Sequence, residues 1–266
     1  MNLNCDLGES FTAWQKGNDT TIMPLIDMAN IACGFHAGDA LIMSQTVALA
    51  KQHNVTIGAH PSYQDLAGFG RRSIKYSNAE LIAIIQYQIS ALQGFCLSQQ
   101  VALTYVKPHG ALYNDMMSDL TIFDIVCQAI SQLNNSHAKN QPPLQLLIQA
   151  LPDVSAFKTV AKKYGITLLF EAFADRNYQD NGLLTPRIEK NAILENVDEI
   201  VNRCQQLLNE KTLTSINGKE LNMHVDTLCV HGDNQHAVDI VIALRALLNK
   251  KHNKKRNKKL NKEIHT

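Results

Sequence analysis

A repeated alternation constrains this chain more than any other feature. Apolar runs of four to six residues recur along it, most of them followed by a helix-length stretch with one apolar face. The runs lie at Met1–Asp6, Met28–Cys33, Val55–Ala59, Ala102–Val106, Leu144–Ile148, Thr167–Phe170 and Thr227–Val230, and each reads as a strand. Helical spacing fills Asp39–His53, Asn78–Leu97, Leu120–Leu133, Pro152–Tyr164, Val197–Asn209 and His236–Leu248. In the longest of these, Leu81, Ile84, Ile85, Ile89 and Leu92 form the apolar stripe and Ser77 is the expected N-cap. Strands separated by helices of this length imply βαβ units and a parallel sheet. About seven units in one body suit a closed TIM-like (β/α) barrel better than an open sheet. Residues 1–249 are therefore expected to form a single α/β barrel domain. Asn177–Ala192 carries Gly, Pro and charges with little periodicity, and reads as a long loop over one barrel mouth.

Charge divides the chain unevenly. The segment 250–266 holds eight of the 25 Lys and Arg residues and one of the 24 Asp and Glu residues. The remaining body is mildly acidic, which disfavours a nucleic-acid-binding core. The basic tail has one Leu and one Ile, too few to bury a core, and is expected to be disordered. No uninterrupted apolar run approaches the length of a membrane span, and the first ten residues lack a signal-peptide pattern. Six cysteines at wide, irregular spacings, with no C-x-x-C, point to reduced thiols in a cytoplasmic protein.

Polar residues gather where strands give way to the following segment. Asp6 and Glu9 follow the first strand, Asn30, His36 and Asp39 the second, and His60 the third. Lys107 and His109 follow the fourth, Glu171 and Arg176 the sixth, and His231 and Asp233 the last. In parallel α/β barrels the C-terminal strand ends share one face, where active sites are built. The clusters should therefore converge. Histidines beside carboxylates supply acid, base or metal-ligand chemistry. A lysine stabilises developing oxyanion charge, and Arg71, Arg72, Arg176 and Arg187 can clamp carboxylate or phosphate. No phosphate loop, dinucleotide fingerprint, H-E-x-x-H or G-x-S-x-G is present. The residues alone describe a barrel hydrolase or lyase.

Longer motifs narrow this. NCDLGES at 4–10, NIACGFHAGD at 30–39, GAHP at 58–61, GFGRR at 68–72, VKPHGALYN at 106–114, Glu171 with FADR at 173–176, Tyr178, Gly182, Arg187 and CVHGD at 229–233 span nearly the whole body. The chain resembles the LamB/YcsF family, the A subunits of bacterial ATP-dependent 5-oxoprolinase. Ala13 stands where the pattern has Gly, Asn234-Gln235-His236 replaces Thr-Pro-Gly, and the lysine-rich tail has no counterpart.

The resemblance implies a barrel similar to polysaccharide deacetylases, and cleavage of the 5-oxo-L-proline lactam to L-glutamate. ATP is the implied co-substrate, and separate B and C subunits are the implied partners. On that footing Asp6 and His60 would position or deprotonate water, with Glu9 beside them. Lys107 and His109 would stabilise the oxyanion or phosphate, and Glu171 or Asp233 would orient a histidine. Arg72 or Arg176 would hold the substrate carboxylate, with Asn30, His36, Asp39, Arg187 and His231 completing the binding surface. Asp6, His36 and His60 are a candidate donor set for a divalent metal such as zinc or manganese. Two rival readings stand beside this one: a metal-dependent carbohydrate deacetylase acting without ATP, and a non-enzymatic binding module using the basic tail.

Overall fold

The computed structural model describes residues 1–13, 16–136, 141–231 and 236–264, with side chains described as far as Lys251. Seven parallel strands close into a barrel in the order β1 (Asn2–Leu7), β2 (Met28–Ala32), β3 (Thr56–His60), β4 (Leu103–Val106), β5 (Gln145–Gln149), β6 (Leu168–Phe173) and β9 (Thr227–Val230), which pairs back with β1. Around it lie α1 (Asp19–Ile22), α2 (Ala40–Gln52), α3 (Asn78–Ser98), α4 (Gly110–Ser118), α5 (Leu120–Ser136), α6 (Ser155–Lys163), α7 (Val197–Glu210) and α8 (Ala237–Ile264). A small antiparallel hairpin, β7 (Thr212–Thr214) and β8 (Glu220–Asn222), sits between α7 and β9. The single closed barrel is the expected architecture. Helix α1 and the β7–β8 hairpin are too short to show a repeat in the sequence, and the nine-residue α4 starts inside the Lys107–Gly110 polar cluster, which reads as loop.

Helix α3 begins as expected. Ser77 accepts from the Glu80 backbone N–H while Glu80 reaches back to the Ser77 N–H, a reciprocal capping box. By length and composition α3 could cross a membrane. Its stripe of Leu81, Ile85, Ile89 and Leu92 is instead buried in the main core. Helix α8 differs from expectation at its far end: it continues through Ile264, over the tail expected to lack regular structure. That stretch contains no Pro or Gly to stop it and is rich in Lys, a good helix former.

Strand alternation builds the interior in layers. Leu3, Cys5 and Leu7 of β1 face outward into the core beneath the helices, while Asn4 and Asp6 take part in the barrel's interior network. Met28, Tyr105, Leu147 and Leu169 form a separate apolar plug. Above it Asn30 donates to Asn4 Oδ1 (2.9 Å) and Asp6 Oδ1 (2.7 Å), and Tyr105 donates to Asn30 Oδ1 (2.6 Å). Tyr105 fits only because β3 carries Gly58 opposite it: a Cβ there would lie 2.2 Å from the ring. The plug and the polar layer together hold up the floor of the mouth.

Candidate active site

The mouth is a cavity of about 670 Å³ at the C-terminal ends of the strands, bordered by Asp6, Lys107, Arg71, Arg176, Arg187 and His231 among others. The segment between β6 and α7 lies over it, held by bridges from Arg176 to Ile193 and from Tyr178 to Leu184. This is the loop expected over the barrel opening.

Lys107 occupies the floor. Its Nζ lies 2.9 Å from Asp6 Oδ1, 3.0 Å from Cys229 Sγ and 3.2 Å from Glu171 Oε2, and all four residues are buried. Burial disfavours the Lys107 ammonium, yet the facing groups, Asp6 foremost, keep its pKa well above the ordinary value. Burial would likewise raise Asp6, but Lys107 and then His60 hold its carboxyl well below the usual range. An ammonium has three N–H groups, and three partners surround this one. Glu171 lies within β6 rather than beyond its end, because the strand runs on to Phe173.

Beside the floor stands a histidine cluster. His60 is at the end of β3, His109 immediately before α4, and His36 in the loop after β2. The His36 and His109 rings stack at 3.7 Å with a 5° tilt, and both are buried. Burial first, and the neighbouring histidines next, hold both pKa values well below the usual one. Gly70 makes this packing feasible. It has φ +65°, and a Cβ there would come within 2.8 Å of both His109 and His36.

On the far wall His231 Nδ1 lies 3.0 Å from Asp175 Oδ1, and the His231 ring stacks on Phe173 at 5.3 Å. A carboxylate can only accept here, so Nδ1 carries a proton and the ring is held with its Nε2 edge away from Asp175. Arg176 donates to the Ala192 and Thr185 carbonyls, which fixes the covering loop, and burial followed by Arg187 lowers its pKa to about 10.

A LamB/YcsF family model matches residues 1–262. The chain belongs to the LamB/YcsF family. It is 49% identical over 250 residues to the 5-oxoprolinase A subunit of Vibrio cholerae serotype O1, covering 94% of this chain and 98% of that one. The corresponding protein of Pseudomonas fluorescens Pf0-1 is 47% identical over 249 residues, covering 94% and 97%. Among solved structures, the lactam utilization protein from Thermus thermophilus superimposes with a TM-score of 0.85 at 35% identity, covering 95% and 97%.

Not every residue expected in this LamB/YcsF mouth is there. Asp39 caps α2, accepting from the Ile42 N–H and from Thr12, and does not border the cavity. Arg72 turns away to pair with Asp65, leaving two thirds of its side chain exposed, and Arg71 borders the cavity in its place. Asn30 is buried beneath Asp6 and acts on it from below. The carboxylate that orients His231 is Asp175; Glu171 faces Lys107 instead. Asp233 lies outside the described residues. Within the expected metal set, Asp6 is drawn toward Lys107, and the donors that cluster with His36 and His60 are Glu9 and His109. Asp175 and Cys229 lay within motifs read from the sequence, but nothing local marked them as partners of His231 and Lys107.

Proposed function

We propose that this chain is the A subunit of an ATP-dependent 5-oxoprolinase, opening the lactam of 5-oxo-L-proline to L-glutamate together with B and C subunits. The observation that carries this reading is the match to relatives named as 5-oxoprolinase A subunits, at 47–49% identity over more than nine tenths of both chains. The cavity supports it chemically. Amide opening needs an attacking water, a base to take its proton and positive charge where the oxyanion or phosphate forms. We assign that base to His231, which Asp175 orients. Arg71 and Arg187 border the cavity and suit the substrate carboxylate or a phosphoryl group. Lys107 is a positioning residue: encircled by Asp6, Glu171 and Cys229, it fixes Asp6, a carboxylate that borders the cavity.

A five-membered lactam is a stabilised amide, so coupling to ATP supplies the driving force for opening it. The chain carries no phosphate-loop motif, which favours a division of labour in which partner subunits handle much of the nucleotide. A cytoplasmic location fits six free cysteines, all buried. The test is glutamate release from 5-oxoproline in the presence of ATP, with each subunit omitted in turn. Turnover is expected only with all three. Full ATP-dependent turnover by this chain alone would remove the partner requirement, and no glutamate from the complete mixture would remove the substrate.

A further inference from the structure

The histidine cluster contains a contact that no arrangement of neutral rings satisfies. His60 Nδ1 lies 2.6 Å from the Lys107 carbonyl oxygen, and His109 Nε2 lies 2.9 Å from the Phe69 carbonyl oxygen. A carbonyl only accepts, so each of these nitrogens must carry its ring's proton. With both rings neutral, that leaves His60 Nε2 and His109 Nδ1 with lone pairs, and the Asp6 carboxylate oxygen Oδ2 lies 3.4 Å from the same His60 Nε2. The two ring nitrogens face each other at 2.9 Å. Two lone pairs at hydrogen-bond distance repel unless a cation lies between or beside them.

Other donors converge on the same point. His36 Nε2 is 3.3 Å from Glu9 Oε1, and Glu9 Oε1 is 3.7 Å from His109 Nδ1. Neither ring nitrogen of His36 makes a hydrogen bond, although the residue is fully buried. A buried, unsatisfied polar ring is costly. The ligand atoms of Glu9, His36, His60 and His109 all fall within 4.8 Å of one another. Ligands at about 2.0–2.1 Å from one tetrahedral ion stand about 3.3 Å apart. The three separations of 2.9, 3.3 and 3.7 Å bracket that value.

We propose that Glu9, His36, His60 and His109 hold one divalent transition-metal ion of the zinc class at the edge of the cavity. Three imidazoles and one carboxylate match the preference of such ions for nitrogen with some oxygen, and are poor ligands for magnesium or calcium. The Lys107 and Phe69 carbonyls then act as the outer partners that fix the tautomers of His60 and His109, an arrangement seen in most histidine metal ligands. Glu9, His60 and His109 also border the cavity, so the ion would be reachable from the substrate space. The proposal stands on the donor geometry and is independent of the substrate assigned above.

The full chain, stripped with a chelator and dialysed, is titrated with Zn2+ by calorimetry and with Co2+ as an optical probe. One Zn2+ per chain is expected, with Kd of about 1 μM or tighter, and Co2+ should show the visible absorption of a four-coordinate site. His36→Ala and His109→Ala should each weaken binding by more than about 100-fold, since losing even an outer partner costs 10–100-fold. His36→Gln, close in shape, serves if the alanine variant does not fold. His224→Ala, an exposed histidine elsewhere, should bind as wild type. Absence of stoichiometric binding by the wild-type chain would overturn the proposal, and so would unchanged affinity in folded His36 and His109 variants.

Discussion

At the scale of single residues, the site's energetics rest on buried charge. Lys107 is flanked by Asp6 and Glu171, and removing the ammonium would leave two carboxylates buried without a counter-charge. Breaking such a pair costs about 3–5 kcal/mol. Lys107→Met is therefore expected to lose stability of that order in urea unfolding, with Glu171→Gln in the same chain recovering part of it. A Lys107→Met chain as stable as wild type would show that the carboxylates find another partner. Asp19 presents the opposite case. Burial first, and Glu9 further down, raise its pKa to about 6, even though its Oδ2 accepts from the Gly8 N–H at 2.8 Å. A raised carboxyl binds its proton more tightly folded than unfolded, so stability falls as pH rises from about 4 to about 6 and stays lowered above that. The shift corresponds to about 2–3 kcal/mol, less whatever solvent screens at this half-buried position. Asp19→Asn keeps an acceptor without the charge. In chelator, it should stabilise the chain by up to about 2 kcal/mol at pH 7.5 and by nothing near pH 4. An equal effect at both pH values would exclude desolvation as the cause.

At the scale of elements, the strands decide the site through their alternation. Asn4 and Asp6 on β1, Tyr105 and then Lys107 on and after β4, and Thr227 and Cys229 on β9 all meet inside the barrel. Gly58 on β3 is the clearance that lets Tyr105 reach Asn30, and Asn30 in turn holds Asp6. Gly58→Ala should push that ring aside, costing about 1–3 kcal/mol through overpacking and lowering turnover by loosening Asp6. Wild-type stability and turnover in this variant would mean the interior can yield. Much of this was readable beforehand. Thr227–Val230 and the Ser77 cap were placed as found, and the polar clusters did converge. Partners distant in sequence were not readable: Lys107 meets Asp6 and Cys229 only once β9 closes against β1, and nothing local announces that. Arg72 was misplaced because its partner Asp65 lies on the same loop, and Asp39 because an N-cap and a site carboxylate look alike in sequence. For Asp39 a signal did exist, since an Asp at the first residue of a helical pattern is the commonest cap chemistry.

At the scale of the whole molecule, the barrel and the basic end of α8 are expected to be energetically separable. Ala237, Ile240, Val241, Leu244 and Leu248 are buried against the barrel, and they are the last buried apolar residues among those described. Beyond them α8 runs sixteen more residues, about 24 Å at 1.5 Å per residue. Lys250 and Lys254, Lys251 and Lys255, Lys254 and Lys258, Lys255 and Lys259, and Lys258 and Lys262 are each four apart. Like charges at that spacing cost a few tenths of a kcal/mol per pair. One tie from this end to the body is a hydrogen bond from Lys251 Nζ to the Leu208 carbonyl on α7. One such bond contributes about 0.5–1.5 kcal/mol, and about 1 kcal/mol moves Tm by about 2–4 °C in a chain of this size. A chain ending at Asn249 should therefore melt within about 4 °C of full length and keep its turnover with the partner subunits. A chain ending at Lys251 retains the bond and should show no shift. If both truncations fall by more than about 6 °C, residues 252–266 dock on the body, and the basic helix belongs to the fold. If melting holds but turnover is lost in both, the helix serves the assembly with partners and leaves the barrel's stability untouched.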